Sequence, residues 1–330
     1  MFEIRRYRPE QANEWNAFVK QSKQGTFLFN RNYMDYHSDR FKDFSLIIYR
    51  KQYIYALLPA NRVGNTLFSH QGLTYGGLIT NEKATTANIC KLFQALNIFL
   101  AKEGIHNVIY RAIPHIYHRL PAEEDLYALT NFCEANIINR HISATIDFNH
   151  RLRFTESRKS GIRKAVKNGI KVRESEDLKS FWMILNNNLQ QKYATKPVHS
   201  LFELKLLKNR FPENIKLFMA YNIDNMPIGG ILLYITPKTL HTQYISASPE
   251  GKRNGALDLI FNHLLNTVYQ DQEGYFDFGK SSEGNGKTLN EQLIFQKEGF
   301  GSRGICYDVY EWSTRHINSI EDKKQLLSHD

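Results

Sequence analysis

The sequence predicts an α/β fold of the α+β type, with mixed sheets, repeated in two lobes. Three observations carry this. Helical and strand periodicities intermix along all 330 residues. The order helix, strands, helix, strand occurs twice, once in each half. Each half, about 150 residues, has the size of one α/β domain. The expected division places a first lobe at 1–150 and a second at 151–313.

The elements follow in order. Phe2 to Tyr7 alternates like a strand, and Trp15, Phe18 and Val19 lie at helical spacing behind Pro9. FSLIIYRKQYIYALLPANRV reads as two strands about an Arg50-Lys51-Gln52 turn, followed by the short strand TLFSH. Ile89, Leu92, Phe93, Leu96, Phe99 and Leu100 form one stripe of a long helix that Gly104 ends. The strand HNVIYRAI, a helix from Leu126 to Glu134, and two strands, NIINR and ISATIDF, close the first half.

The second half opens with the helix FTESRKSGIRKAVKNG, ending at Gly169, and the strand IKVRES. Two helices follow, DLKSFWMILNNNLQQKY and SLFELKLLKNRF; in the second, Ser200 and Glu203 have capping-box spacing. A hairpin turning at Asp224-Asn225 and the strand TLHTQYISAS lead to a helix striped by Leu257, Ile260, Phe261, Leu264, Leu265 and Val268. The strands GYFDFG and GICYDVYEW end the pattern.

Composition excludes several classes. Apolar content of 42 % and charged content of 23 % are ordinary for a globular chain. The net charge of +10 favours acidic partners such as phosphates, nucleic acid or an anionic surface, or serves solubility alone. Cys90, Cys133 and Cys306 lie far apart, so neither a disulfide framework nor a zinc knuckle is expected. No H-E-x-x-H pattern occurs, and no metal is expected. The first ten residues lack an apolar leader and no apolar run reaches about 18 residues, so no integral membrane segment and a cytoplasmic location are expected. RNP and helix-turn-helix patterns are missing, which speaks against sequence-specific nucleic-acid binding.

Three stretches carry candidate chemistry. In YISASPEGKRNGALDLI a strand ends at Ser246-Ala247-Ser248, a turn holds Lys252, Arg253, Asn254 and Gly255, and a helix begins near Ala256. Free N–H groups at a helix start beside two cations suit a phosphate; an ordinary basic turn is the alternative. In DFGKSSEGNGKTLNEQLIFQKEGFG, Asp277, Phe278, Gly279, Lys280, Ser281 and Ser282 close a strand, and Lys297 precedes Gly299-Phe300-Gly301. From Arg151 to Glu174, nine basic and two acidic residues give a net +7. That segment, with Arg163, Lys164 and Lys167, either holds phosphates or is a solvated helix face.

These stretches resemble a known family. SRKSGIRKAVKNGIKV resembles the helix opening the second lobe of the FemAB-like aminoacyl and acyl transferases, and YFDFGKSS with LIFQKEGFG resembles their closing signature. GTFLFNRNYMDYH and SHQGLTYGGLI resemble their first lobe, and Arg253-Asn254-Gly255-Ala256 partly matches the donor turn of GNAT N-acyltransferases. The resemblance spans most of the chain, with the motifs in family order. It implies tandem GNAT-like acyl-CoA N-acyltransferase domains, with the tail 314–330 returning to the first lobe.

The implied activity moves an acyl group from an activated donor to an amine of a small or nucleotide-linked acceptor, such as a cell-wall or polysaccharide precursor. The donor is acyl-CoA (acetyl-CoA), favoured, or aminoacyl-tRNA, which would make tRNA a partner. A non-catalytic scaffold binding a phosphorylated glycan precursor or RNA is the alternative class. The resemblance gives Lys297 the acyl oxyanion. Gln296 stands where the family has phenylalanine. Asp277 would orient the acceptor amine or take its proton, or cap its turn; Tyr244 would protonate a leaving group, or pack. Ser246 to Ser248 and Lys252 to Ala256 would hold the donor. Phe278 to Ser282, Arg31, Arg163, Lys164 and Lys167 would meet the acceptor or tRNA, with Arg111 a weaker candidate. Tyr33, Tyr36 and Tyr75 would line a cleft or pack in the core.

Overall fold

The computed structural model describes residues 2–314, which form two compact units. The first contains residues up to 141, 284–287 and 306 onward; the second contains 142–283 and 288–305. The chain therefore passes between units at 141/142, nine residues before the expected boundary, and returns through two short segments. The expected tail, 314–330, lies outside the described residues after Thr314.

The first unit begins with β1 (Phe2–Arg6), α1 (Ala12–Gln21), α2 (Arg31–Met34), β2 (Leu46–Arg50) and β3 (Tyr53–Leu58). Lys51 and Gln52 both have positive φ, 49° and 69°, which produces the tight β2–β3 turn. The unit continues through β4 (Asn61–Val63), β5 (Thr66–Phe68), β6 (Ile79–Thr80), α3 (Thr86–Lys102), β7 (Asn107–Arg111), α4 (Glu124–Phe132) and the start of β8 (Asn136–Asp147). One antiparallel sheet runs β1-β2-β3-β6. The α3 stripe packs into a core with Leu46, Ile48, Tyr110 and Trp312, although Phe99 is only partly buried. Where two strands were expected, β8 is one. Neither glycine nor proline interrupts it, and Arg140 is held by both oxygens of Asp308.

The second unit holds the rest of β8, α5 (Glu156–Lys167), β9 (Lys171–Glu174), α6 (Leu178–Tyr193), α7 (Leu201–Arg210), β10 (Ile215–Tyr221), β11 (Pro227–Ile235) and β12 (Thr239–Ala247). Then come α8 (Pro249–Arg253), α9 (Ala256–His263), β13 (Tyr275–Lys280), β14 (Ser282–Glu283), β15 (Thr288–Leu289), α10 (Glu291–Glu298) and β16 (Arg303–Ser313), whose residues from 306 belong to the first unit. Its sheet runs β8-β13-β12-β11-β10-β9. All pairs are antiparallel except β12–β13, joined through α9. Ile260, Phe261, Leu264 and Leu265 of the α9 stripe pack on Ile231, Leu233, Phe276 and Phe300.

Two irregularities shape this sheet. β12 carries a bulge: Leu232 faces Tyr244 and Leu233 faces Thr242, which leaves Gln243 as the extra residue. β13 bends at Gly279, φ +76°, where its register with β8 shifts between Asp277 and Lys280.

Candidate active site in the second unit

β12 and β13 stay together for only three residue pairs, Thr239–Tyr275, Leu240–Phe276 and His241–Asp277. Beyond the last pair β13 continues to Lys280 without pairing β12 further. A gap between parallel strands frees backbone groups of both strands for something other than each other. The irregularities just described lie at this opening.

A buried polar cluster sits where the strands part. Asp277 is fully buried. Its Oδ1 accepts hydrogen bonds from the hydroxyls of Ser143 and Thr145 and from the Gly279 N–H. Its Oδ2 lies 2.8 Å from His241 Nδ1. A carboxylate on Nδ1 fixes the imidazole tautomer and leaves Nε2 as the proton-accepting nitrogen. His241 was not expected from sequence. Its partner is 36 residues away, and only the parallel register of β12 and β13 brings them together.

Lys297 comes from α10 and is buried beside this cluster. Its Nζ donates to Gly279 O at 2.7 Å, Lys280 O at 2.9 Å and Ser281 Oγ at 2.8 Å. These three acceptors match the three protons of an ammonium. Burial lowers the Lys297 pKa to about 8, and the Asp277 charge partly opposes that shift. The lysine thus brings a cation beneath the bent end of β13 and ties down residues 279–281. Gln296 is exposed and does not determine the aim of Lys297. Among the other acceptor-side candidates here, Phe278 is in the core with Phe261 and Phe300, Ser282 is partly buried in β14, and Lys280 is exposed.

Tyr244 points elsewhere. Its hydroxyl lies 2.6 Å from His199 Nδ1, and burial pushes its pKa up to about 12. Ser246 Oγ and Ala247 O accept from Asn188 Nδ2, while Asn188 Oδ1 accepts from Lys252 Nζ at 2.8 Å. One asparagine of α6 thereby joins β12 to α8.

The donor turn is more structured than the sequence indicated. Ser248 caps α8 by accepting from the Gly251 N–H, with Pro249 in the first turn. Gly255, φ +75°, starts α9, and a Cβ there would stand 2.4 Å from Gly161 O. Helix α5 thus abuts the start of α9, and Arg158 of α5 pairs with Asp258 at 2.7 Å. Asn254 Oδ1 accepts from Asn168. Ala256 is buried and Arg253 is exposed.

On α5, Arg163 pairs with Glu156, and Lys164 and Lys167 are exposed. In the first unit, Arg31 is buried, donating to Asp35, Asp43 and Ser45 and lying 3.9 Å over the Tyr7 ring. That network commits its guanidinium to holding α2. Arg111 likewise donates to the carbonyls of Gln71 and Leu73. Tyr33 and Tyr75 are buried, and Tyr75 donates to Thr26.

A profile of the family described as Acetyltransferase (GNAT) domain matches residues 155–285, from α5 to β14. That stretch of the second unit is similar to a GNAT domain. Solved structures of low sequence identity share the fold over most of the chain. FemX aligns at TM-score 0.65 and 11 % identity, covering 94 % of this chain and 97 % of its own. L-PGS from Bacillus licheniformis aligns at TM-score 0.58 and 12 % identity, covering 98 % and 97 %. A tandem GNAT protein from the clavulanic acid biosynthesis pathway aligns at 0.50 and 9 %, covering 95 % and 99 %. No curated protein matches the sequence. Within the matched stretch the β12–β13 opening, the bulge at Gln243 and the His241–Asp277 pair occupy one place. Among the described residues no helix is long and apolar enough to cross a membrane, and no cluster of potential metal ligands occurs.

Proposed function

We propose that the chain is an N-acyltransferase that moves an acyl group from acyl-CoA to an amine at the β12–β13 opening. The observation that carries this reading is the parting of the two strands at a buried histidine–aspartate pair inside a GNAT domain. The acceptor amine attacks the acyl carbonyl, its proton passes to His241 Nε2, and the C–S bond to the thiol breaks. Asp277 holds the imidazole at Nδ1. Lys297 supplies positive potential beneath the bend at 279–281 as the oxyanion forms. The residues from Ser246 to Ala256 shape the donor side through Asn188 and the Gly255–Gly161 contact.

Aminoacyl-tRNA as donor is the second reading. The exposed cations Lys164 and Lys167 on α5 favour it, because phosphate contacts need such unengaged charges. The test separates the two. Thiol release from a panel of acyl-CoAs, with primary amines as acceptors, is measured beside aminoacyl transfer from charged tRNA. Amine-dependent thiol release that His241→Ala abolishes supports the first reading. Transfer from charged tRNA alone moves the chain to the second.

A further inference from the structure

A groove of about 720 Å³ lies against α5 and α9, and none of its lining residues belongs to the β12–β13 cluster. Four cations line it: Arg151, Arg153, Lys159 and Arg163. No carboxylate does. Like charges gathered in one groove repel each other, and an anion there would relieve that repulsion.

Its hydrogen bonds have a direction. Arg151 donates to Leu265 O at 2.9 Å and to Asn266 Oδ1 at 2.6 Å. A guanidinium cannot accept, so the Asn266 oxygen must face it and the amide nitrogen must face away. That nitrogen donates to Asn262 Oδ1 at 2.9 Å. The chain therefore ends on the Asn262 Nδ2 group, a donor at the groove wall. The side chains of Arg153 and Lys159 are exposed and make no hydrogen bond or close ion pair among the described residues, although the Lys159 charge acts on Glu156. Arg163 holds Glu156, but both side chains are exposed and such a pair yields readily to a better anion. Asn262, Arg153 and Lys159 thus all offer donors, and Arg163 can join them.

The lining also has an apolar side, made by Leu152, Phe154 and Ile162. The volume falls in the range of small-molecule sites. We infer that this groove binds a phosphate or diphosphate ester whose neighbouring group is apolar. Phosphate oxygens would meet Arg151, Arg153, Lys159 and Asn262, with the apolar part on Phe154 and Ile162. The site is independent of the acyl-transfer reading, since it shares no residue with that cluster.

The test uses the full chain, calorimetric titration and thermal shift at low salt. Inorganic phosphate, pyrophosphate and octyl phosphate below its micelle concentration are the probes. Octyl phosphate is expected to bind at least 10-fold tighter than inorganic phosphate, and all three affinities to fall with salt. The double variant Arg153→Ala/Lys159→Ala is expected to weaken binding at least 10-fold without lowering its own melting temperature. Lys164→Ala/Lys167→Ala, on the same helix but outside the groove, should leave binding intact. Uridine diphosphate and phosphatidic-acid vesicles then separate the two sources of the phosphate: binding to one identifies a soluble nucleotide, to the other a lipid headgroup. Absence of saturable binding would overturn the inference, as would equal weakening by both double variants or binding to RNA alone.

Discussion

Each unit buries an aspartate, and the company each keeps is different. Asp125 in the first unit accepts from the Tyr110 hydroxyl and the Leu126 N–H, with the Tyr110 oxygen also accepting from Leu78 N. Asp277 in the second accepts from two hydroxyls and a backbone N–H and also holds a histidine. Burial raises the Asp125 pKa to about 6, and burial also lifts the Tyr110 hydroxyl well above its ordinary value. A tyrosine so raised keeps its proton at neutral pH, whereas imidazole is the side-chain type suited to taking up and returning one. Asp125 ties a helix to a core; Asp277 sits where two strands part. A buried carboxylate alone therefore marks nothing, and its neighbours decide what it can do.

The sharpest way to break this comparison is to neutralise each carboxylate in turn. Asp277→Asn should lower acyl transfer about 10²–10⁴-fold, because the imidazole loses its orienting charge. Asp125→Asn should leave transfer unchanged. Steady-state rates on the folded proteins check both, and equal losses would erase the distinction. Next in size is Lys297→Met, expected to cost about 10²-fold in kcat, while Lys297→Arg recovers part of it. The lysine must be charged to act, so the wild-type rate should decline as pH rises through about 8, its lowered pKa. A pH–rate profile flat to pH 9.5 would remove Lys297 from the chemistry.

Two smaller effects concern stability. Gly255→Ala should cost about 2–4 kcal/mol, since an alanine there is strained at φ +75° and meets Gly161 O. Urea unfolding measures it, and a cost below 0.5 kcal/mol would mean α5 does not abut α9. The Asp125 pKa rises from 3.8 to about 6 on folding, so the folded state favours its neutral form. Its contribution is complete below about pH 4 and is lost as pH rises through about 6, a change of at most about 3 kcal/mol. Thermal melts of Asp125→Asn should lose this slope while the wild type keeps it.

Most of the fold was legible in the sequence because it depends on local signals. The α3 stripe, the Ser200–Glu203 capping box and the turn at Lys51-Gln52 each lie within one short window. The two expected strands around His141 merge into β8 because polar residues there mimic a break that nothing in the backbone requires. Ser248 read as a strand end and Lys252 to Gly255 as a turn, yet Ser248 caps a short helix that starts at Pro249 and runs through Lys252 and Arg253. At the candidate site, Asp277 and Lys297 stood out through their motifs. His241 did not, because strand register supplies its partner and no sequence window contains both. His199, at Tyr244, escaped because the two lie 45 residues apart. Arg31 followed an aromatic run and was read as acceptor-side; its partner Asp35 is local, at i+4, but Asp43 and Ser45 come to it only through packing.

The central claim is that the opening between β12 and β13 is where acyl transfer occurs, with His241 as the base. The most direct test is amine-dependent thiol release by His241→Ala, compared with wild type at matched melting temperature. The account predicts a loss of about 10²–10⁴. A variant retaining activity within threefold of wild type would contradict it.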